Sequence, residues 1–376
     1  MIKSVTINGF RGLENLTIPL SSVTMLTGTN GVGKTSVLEG LYCLFSNSKL
    51  DVAPLSRYNK SKGINAPQSV NNNLGFTIRN NYNYKLFWDE CPSYGKTSCS
   101  VSAITDNKMS WSWNYRKAKL HEVNQKLRAE KPIPVDASSE FALWDWQMKG
   151  IVYDKITRQN RSVNNQYYTA QILSSDGGLY LFPLLTGVLS ICEYIEFTST
   201  RLQPQKLTFQ TSKQLTKALK TINTHITDVR LKDHESGLSV VLDDVTEVSL
   251  GSIGNGAVTW ASVLMAILDI VEINKQLNDI PTLILIDEMG AGIHYSVMSN
   301  VWTFLREYIR DNSNIQFVFT SHSADCIRSF CEVFYEQDDA AVVRLHRSSE
   351  GEKIFPTEYK KDAFTNIIDG LWEVRG

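Results

Sequence analysis

The chain has 376 residues, of which 42% are hydrophobic and 20% are charged, and its formal net charge is −1. This balance excludes a chain that is disordered throughout. The near-neutral charge argues against a strongly basic clamp for nucleic acid, while it is compatible with a local basic patch. The length is sufficient for about two to three domains.

The cysteines and the apolar runs indicate the compartment. None of the six cysteines forms a Cys-x-x-Cys pair. Cys43, Cys192 and Cys326 lie in apolar segments and are predicted to be buried thiols of a cytoplasmic protein. Met1 leads directly into a predicted strand, so no leader peptide is expected. The apolar run Val263–Ile273 is short and contains two acidic residues, so no membrane-spanning segment is predicted.

The first strand is predicted to start at Ile2 and to end near Phe10 and Arg11, and a second apolar run starts at Val23. Residues 28–35, Gly-Thr-Asn-Gly-Val-Gly-Lys-Thr, follow that run and lead into a predicted helix. This strand–loop–helix context is that of a P-loop, whose backbone N–H groups and lysine bind phosphates while its Thr hydroxyl ligates Mg²⁺. The candidate nucleotide-binding residues of the loop are Gly28, Asn30, Gly31, Gly33, Lys34, Thr35 and Ser36, with Thr35 also a candidate metal ligand.

Residues 47–170 differ in composition, because they are rich in Asn, Ser, Tyr and Trp. Alternating residues predict strands at 84–88 and 98–104, and residues 116–130 are predicted to form one charged helix. Two interpretations of the aromatic residues stay open: the core of a small β-rich subdomain, or a partner surface. These residues are Trp88, Trp111, Trp113, Tyr115, Trp144 and Trp146.

The middle of the chain alternates between predicted helices and short strands. Residues 177–192 are predicted to form an apolar helix and residues 211–226 a polar amphipathic helix. The runs 229–231 and 238–242 predict a hairpin. Residues 249–256, Ser-Leu-Gly-Ser-Ile-Gly-Asn-Gly, precede a further helix and are either an anion site or an ordinary loop with an N-cap.

Two apolar strands near the C-terminus end in polar residues. The run from Thr282 suits a strand buried on both faces of a parallel sheet, and it ends in Asp287 and Glu288. Asp287 is predicted to hold Mg²⁺, and Glu288 to orient and deprotonate the attacking water. The run 316–319 ends in Thr-Ser-His-Ser, which places His322 at the carboxyl end of a strand, where ligands bind in such sheets. A helix, a strand at 341–345 and a helix at 362–371 are predicted to follow.

The order of these motifs resembles the ABC-type ATPase heads of the branch that includes the SMC proteins, RecF and the OLD family. The chain is most similar to OLD-like ATPases in three features. Asp287-Glu288 runs into Gly-Ile-His294, the His322 turn matches Thr-x-His-Ser, and a predicted strand ends in Arg201. The alternative role for Arg201 is a structural ion pair. Met289 replaces the usual proline, and Ser-Ile-Gly-Asn-Gly departs from Leu-Ser-Gly-Gly-Gln. The resemblance covers residues 1–46 and 170–345.

This resemblance implies an α/β fold, a P-loop NTPase with the mixed sheet of an ABC-ATPase head and a β-rich, aromatic insertion. It implies ATP and Mg²⁺ as ligands, Glu288 and His322 as catalytic residues, and nucleotide contacts from Arg11, Ser252 and Gly254. The implied segments are 1–46, the N-terminal part of ATPase lobe I; 47–170, the insertion; 171–280, the signature-bearing helical part; and 281–376, the C-terminal part of lobe I.

The resemblance also implies partners. ATP is expected to be enclosed between the P-loop of one subunit and the signature of another, in a homodimer or higher oligomer. The segment after His322 is too short for the nuclease domain of OLD proteins, so no nuclease activity is expected. The chain resembles stand-alone OLD-like ATPases, including the retron- and Septu-type subunits. This resemblance implies that the protein is a switch in anti-phage defence, and that it controls an effector encoded nearby, a nuclease or toxin.

Two other functions stay open at this point. A RecF-like DNA-repair ATPase would bind nucleic acid, but such proteins carry Asp-Asp where this chain has Asp287-Glu288. The ATPase subunit of a membrane transporter is disfavoured by the altered signature, and no membrane partner is expected.

Overall fold

A computed structural model describes residues 1–45, 92–93, 95–106, 108–119, 121–122, 140–154, 159–172, 179–180, 191–197, 208–231, 237–243, 245–276, 282–349, 351 and 353–370. The chain divides into two compact units. The parallel-sheet unit comprises Met1, Pro19–Leu38 and Leu189–Gly376. The antiparallel-sheet unit comprises Ile2–Ile18 and Glu39–Val188.

The described strands are β1 (Ile2–Asn8), β2 (Leu16–Pro19), β3 (Val23–Thr27), β4 (Ser98–Thr105), β5 (Ser110–Lys119), β6 (Glu140–Asp154), β7 (Gln159–Ile172), β8 (Leu179–Tyr180), β9 (Ile191–Glu196), β10 (Ile226–Leu231), β11 (Leu238–Leu242), β12 (Glu247–Ser249), β13 (Thr282–Asp287), β14 (Ile315–Thr320), β15 (Ala340–Arg347) and β16 (Ile354–Tyr359). The described helices are α1 (Lys34–Phe45), α2 (Phe209–Leu219), α3 (Leu250–Ile253), α4 (Asn255–Gln276), α5 (Tyr295–Asp311), α6 (Ala324–Phe334) and α7 (Asp362–Ile368).

The main sheet of the parallel-sheet unit has six strands in the order β16-β15-β3-β14-β13-β9. The pairs β15–β3, β3–β14, β14–β13 and β13–β9 are parallel, and β15–β16 is antiparallel. All residues of β3, β13 and β14 are buried, as their continuous apolar sequences predict. Their parallel register brings the carboxyl ends of these three strands to one edge, so that Thr320 of β14 pairs with Leu26 of β3. The predicted mixed α/β architecture is confirmed.

Helices α5 and α6 build much of the core beside this sheet. The Trp302 indole of α5 makes edge contacts with Phe319, Phe330 and Phe334, at ring-centroid distances of 5.0, 5.2 and 6.1 Å. Its Nε1 donates a hydrogen bond of 3.1 Å to the Cys326 carbonyl, so the buried polar atom of this large side chain is satisfied. This packing fixes the start of α6 against the end of β14.

The prediction that no apolar run reaches membrane-spanning length is wrong for helix α4. Among the described helices, this one is long and apolar enough over Asn255–Lys275 to cross a membrane, by length and composition only. Asp269 and Glu272 do not interrupt the run, because they are partly or fully exposed and leave its apolar face intact. That face belongs to the hydrophobic core, with Trp260 and Leu264 completely buried. Core helices of soluble proteins pass the same test, so the helix is weak evidence for a membrane.

The antiparallel-sheet unit contains one seven-stranded sheet, β2-β1-β4-β5-β6-β7-β8. The predicted helix 116–130 is wrong at its start, because residues 116–119 belong to β5 and pair with β4 and β6. Most of the remainder, from 123 on, lies outside the described residues. Trp111, Trp113 and Tyr115 of β5 are at most 7% exposed, which supports the core interpretation for these three. Trp88 and the side chains of Trp144 and Trp146 lie outside the description.

Other sequence predictions differ at particular positions. The hairpin is confirmed as β10–β11, whereas Ile191 and Cys192 belong to β9 and not to an apolar helix. Cys192 is only partly buried because β9 is the edge of its sheet, while Cys43 and Cys326 are buried. Residues 1–46 fall in both units, because β1 pairs with β4 rather than with the P-loop strand. Strand β16 was not predicted, and the strand at 84–88 and Arg201 lie outside the described residues.

Candidate nucleotide-binding site

The P-loop follows β3 directly and runs into α1. Gly28 has φ +135°, and a Cβ atom there would lie 2.2 Å from the Leu345 carbonyl oxygen of β15, so only glycine fits between the two segments. Asn30 and Gly31 are exposed at the tip of the loop. Gly33 ends the loop, and Ser36 lies in the first turn of α1, after Lys34 and Thr35. The loop therefore presents its tip to solvent, while Lys34 and Thr35 at the start of the helix are partly buried.

The charges of the loop favour an anion. The first turn of α1 contains no acidic residue that would neutralise the positive end of the helix dipole. The Lys34 ammonium donates to the carbonyl oxygens of Gly28, at 2.7 Å, and Thr29, at 3.0 Å. Burial lowers the pKa of Lys34, and the nearby carboxylates of Asp287 and Glu288 oppose that shift. The lysine thus lies folded back on its own loop, beside the acidic residues that end β13.

Asp287 connects the P-loop to β13. The Thr35 hydroxyl donates to its carboxylate at 3.0 Å, although the two residues are 252 positions apart in the chain. The Tyr194 hydroxyl of β9 donates to the same carboxylate at 2.8 Å, and the Thr320 hydroxyl of β14 donates to its other oxygen. Asp287 is 1% exposed. Hydrogen bonds from hydroxyl groups on three different elements stabilise this buried charge.

Thr320 also holds the backbone of the residues after β13. Its hydroxyl accepts a hydrogen bond from the Glu288 N–H at 2.9 Å, and its carbonyl accepts one from the Met289 N–H at 2.8 Å. One side chain therefore contacts both Asp287 and Glu288. Met289, at the position where the resemblance implies proline, supplies an N–H that proline lacks.

Glu288 has a backbone conformation that is unusual for its type. Its φ is +60°, in the left-handed region that costs a residue with a Cβ about 1–2 kcal/mol. Its side chain is partly exposed, next to the buried Asp287. The hydrogen bonds from the two consecutive N–H groups to Thr320 hold the backbone in this turn.

His322 lies in the turn between β14 and α6. The preceding residue, Ser321, donates from its N–H to the Leu26 carbonyl of β3 at 3.2 Å and from its hydroxyl to the Met289 carbonyl at 3.0 Å. The following residue, Ser323, is the N-cap of α6. The exposed His322 side chain is thus carried by a fixed turn at the edge where β3 and β13 end.

The Ser-Ile-Gly-Asn-Gly turn occupies α3 and the start of α4. Ser252 and Gly254 are exposed, and within the described residues no hydrogen bond joins either of them to the P-loop. At Gly256, a Cβ atom would lie 2.7 Å from the Gly292 carbonyl, so this turn packs against the segment that follows Glu288. The structure therefore brings Thr35 into contact with Asp287, next to Glu288, and among the described residues no hydrogen bond joins Ser252 or Gly254 to them.

Arg11 has a defined partner in the antiparallel-sheet unit. Its Nη1 lies 2.7 Å from the Glu39 carboxylate, and Glu39 is 1% exposed. A buried carboxylate of this kind depends strongly on its cationic partner. The ion pair gives Arg11 a structural role, and the predicted nucleotide contact of Arg11 stays a prediction.

Three residues with site contacts were not assigned to the site from sequence. Thr320 ends an apolar strand next to β13, and this position at the carboxyl edge was a usable signal. Tyr194 contacts Asp287 because β9 pairs with β13, and nothing in its local sequence indicates that. Arg347, at the end of β15, donates from Nη2 to the Gly31 carbonyl at 3.1 Å. Its contact depends on the parallel pairing of β15 with β3.

Known proteins resemble this chain to different degrees. A Helicobacter pylori (strain ATCC 700392 / 26695) protein named ATP/GTP phosphatase is 22% identical over 388 residues, which cover 96% of this chain and 95% of that protein. A solved structure described as structural biochemistry of ATP-driven dimerization and DNA-stimulated activation of SMC ATPases is 11% identical. The aligned residues cover 44% of this chain and 93% of the solved chain. The TM-score is 0.30, which is too low to support an argument.

The family comparison is more extensive. The AAA ATPase domain family matches residues 1–327, which include the P-loop, the acidic pair after β13 and the His322 turn. The match covers most of the chain and agrees with the P-loop geometry described above. The chain belongs to the AAA ATPase domain family.

Proposed function

We propose that this protein binds ATP with Mg²⁺ and hydrolyses it to ADP and phosphate. The observation that carries the proposal is the 3.0 Å hydrogen bond between the Thr35 hydroxyl and the buried Asp287 carboxylate, beside Lys34. In P-loop NTPases the equivalent hydroxyl and carboxylate hold the metal, and the lysine binds the β- and γ-phosphates. Lys34 is available for this role once it leaves the Gly28 and Thr29 carbonyls.

The donor set fits magnesium. A hydroxyl and a carboxylate are the hard oxygen ligands that this cation prefers, and it is usually held by one or two protein groups together with substrate phosphates and water. Within the described residues no cluster of three or more His, Cys, Asp or Glu side chains could hold a metal by itself. Thr35 and Asp287 would therefore hold the ion only in company with the nucleotide. When bound, the ion would neutralise phosphate charge.

We assign the hydrolytic step to Glu288 and His322. Glu288 is held next to Asp287 in a strained, partly exposed turn, which suits a general base that orients and deprotonates water. His322, on the neighbouring turn, would contact the γ-phosphate or that water. Asp287 is occupied by hydroxyl donors and would act on the cation instead.

We include ATP-dependent homodimerisation in the proposal. Ser252 and Gly254 are exposed and make no hydrogen bond to the P-loop within the described chain. The γ-phosphate would therefore lack donors on one side, and the signature turn of a second copy would supply them. Higher oligomers are compatible with the same contact.

The biological role rests on the resemblance to stand-alone OLD-like ATPases alone. On that basis the proposed role is a cytoplasmic switch that controls an effector in anti-phage defence. The RecF-like alternative, an ATPase that binds DNA, is less favoured because Glu288 and the His322 turn differ from that pattern. Co-purification of a nearby-encoded protein would support the first role, and ATP-dependent DNA binding by the isolated chain would support the second.

The biochemical proposal is tested with two variants. Lys34→Ala should abolish equilibrium binding of ATP, while Lys353→Gln, which removes an exposed lysine elsewhere in the unit, should leave it unchanged. Glu288→Gln should keep ATP bound and form a dimer in the presence of Mg²⁺, measured by light scattering. Undiminished binding by Lys34→Ala would refute the site, and a Glu288→Gln protein that stays monomeric would refute the dimer.

A further inference from the structure

Strand β15 extends beside the P-loop. It pairs with β3 from Ala340 opposite Val23 to Arg344 opposite Thr27, the last residue of β3. The final residues of β15, up to Arg347, therefore run alongside the loop itself, where the Leu345 carbonyl approaches Gly28. On the other side of β3 lie β14 and then β13, which ends in Asp287. Strand β15 therefore flanks the P-loop on the side away from Asp287.

Arg347 connects two turns through different nitrogen atoms. Its Nη2 donates to the Gly31 carbonyl at 3.1 Å, at the exposed tip of the P-loop. Its Nη1 donates to the Gly351 carbonyl at 3.4 Å, in the turn between β15 and β16. The planar guanidinium thus ties the exposed tip to a hairpin that is anchored in the sheet.

The orientation of the Gly31 carbonyl determines where the next N–H points. The peptide group is planar and trans, so the Gly31 carbonyl and the Val32 N–H point in opposite directions. With the carbonyl directed outward to Arg347, the Val32 N–H is directed into the loop, where it donates to the Thr29 carbonyl at 3.4 Å. Inward N–H groups are what a P-loop uses to bind phosphates.

We propose that Arg347 is a positioning residue of the nucleotide site: it holds the Gly31–Val32 peptide so that its N–H faces the bound phosphates. This inference rests on the proposed nucleotide binding for its functional consequence. Its structural part, the ordering of the loop tip, is independent of any nucleotide. Holding the loop in the binding conformation beforehand reduces the entropy lost when phosphate binds.

The first experiment measures amide hydrogen exchange of the P-loop in the nucleotide-free protein. Arg347→Gln should exchange faster than wild type over residues 28–33, because the tip loses its anchor. Arg347→Lys keeps the charge but not the planar pair of donors, so it should also exchange faster. Lys353→Gln, on the same hairpin, is the control: its ammonium has no described hydrogen bond, and its exchange should match wild type.

The second experiment measures the equilibrium affinity for ADP by calorimetry. Arg347→Gln should weaken binding about fivefold, which corresponds to ~1 kcal/mol, the typical net value of one hydrogen bond. Arg347→Lys should show a similar loss. If the lysine variant binds like wild type while Lys353→Gln binds as weakly as Arg347→Gln, general electrostatics explains the effect and the proposal is wrong.

The outcomes separate this inference from the proposed function. If wild-type protein binds no nucleotide but Arg347→Gln still loosens the P-loop, the ATPase proposal and the role of Arg347 in phosphate binding both fail, and only the ordering of the loop tip by Arg347 stands. If the exchange of the P-loop is identical in wild type and Arg347→Gln, the positioning role is refuted, whatever the affinity of the protein for nucleotide.

Discussion

Replacing Thr320 by valine tests whether one hydroxyl organises the acidic pair. Thr320 is 1% exposed, and valine has nearly its shape. The change removes the hydrogen bond that the hydroxyl donates to Asp287 and the one that it accepts from the Glu288 N–H at 2.9 Å. The apolar packing of β14 is retained, so the effect measures these two hydrogen bonds.

The expected loss of stability follows from the two partners. A hydrogen bond to a charged group contributes about 1.5–3 kcal/mol, and an N–H left unsatisfied in a buried site costs about 1–3 kcal/mol. Asp287 retains donors from Thr35 and Tyr194, and Glu288 is partly exposed, so values near the low ends apply. The free energy of unfolding should therefore fall by ~3 kcal/mol.

Thr24→Val is a matched control. Thr24 of β3 is completely buried, and its hydroxyl likewise accepts from a backbone N–H, that of Ser21 at 3.0 Å. It donates to the Ser21 carbonyl at 3.3 Å. Both partners are neutral and lie near the opposite end of the strand from the site, so this variant should lose only about 1–2 kcal/mol and keep its ATPase rate.

Urea unfolding and ATP hydrolysis together decide the outcome. With a urea m-value of about 3 kcal/mol/M, the Thr320→Val midpoint should fall by about 1 M. Hydrolysis should fall at least tenfold, because the Glu288 N–H loses its hydrogen bond to the hydroxyl while only the backbone bond from Met289 remains. If Thr320→Val loses no more stability than Thr24→Val and hydrolyses ATP at the wild-type rate, Thr320 does not organise this site.

Two further predictions concern the P-loop. Gly28→Ala should destabilise the protein by more than ~2 kcal/mol and prevent nucleotide binding, because its Cβ would lie 2.2 Å from the Leu345 carbonyl. Gly31→Ala, with φ +76° and open space around it, should cost only ~1 kcal/mol in urea unfolding; equal costs would contradict the steric argument. Because burial lowers the pKa of Lys34 and bound phosphate would raise it, ADP affinity should be highest while the Lys34 ammonium is protonated. It should fall as the pH rises through the lowered value of the free protein, below the ordinary 10.5. Lys34→Arg should abolish this dependence in calorimetry, and a wild-type affinity that stays flat up to about pH 10 would contradict it.

Local sequence predicted the parts of the site that local chemistry determines. The P-loop, the buried strands β13 and β14, and the hairpin β10–β11 each combine a periodic or continuous apolar run with turn residues that few other structures use. Asp287 was predicted to join the P-loop site because it ends a buried apolar strand, and the Thr35 hydroxyl does donate to its carboxylate.

Other features depend on pairings that lie far apart in the chain. Residues 116–119 have the charge pattern of a helix but lie in β5, because strands on both sides supply backbone partners. Tyr194 and Arg347 reach the site only through the pairing of β9 with β13 and of β15 with β3. No local pattern of charge or hydrophobicity encodes which strands become neighbours.

The left-handed backbone of Glu288 has a consequence for variation at this position. Glycine would adopt the same conformation without the steric cost, so Glu288→Gly would relieve about 1 kcal/mol of strain. Selection for thermal stability alone would favour that exchange, whereas selection for turnover would oppose it. If Glu288 has the proposed role, the Glu288→Gly protein would bind ATP and release it unhydrolysed. The lifetime of the nucleotide-bound state would then be set by the rate of dissociation and not by the rate of hydrolysis.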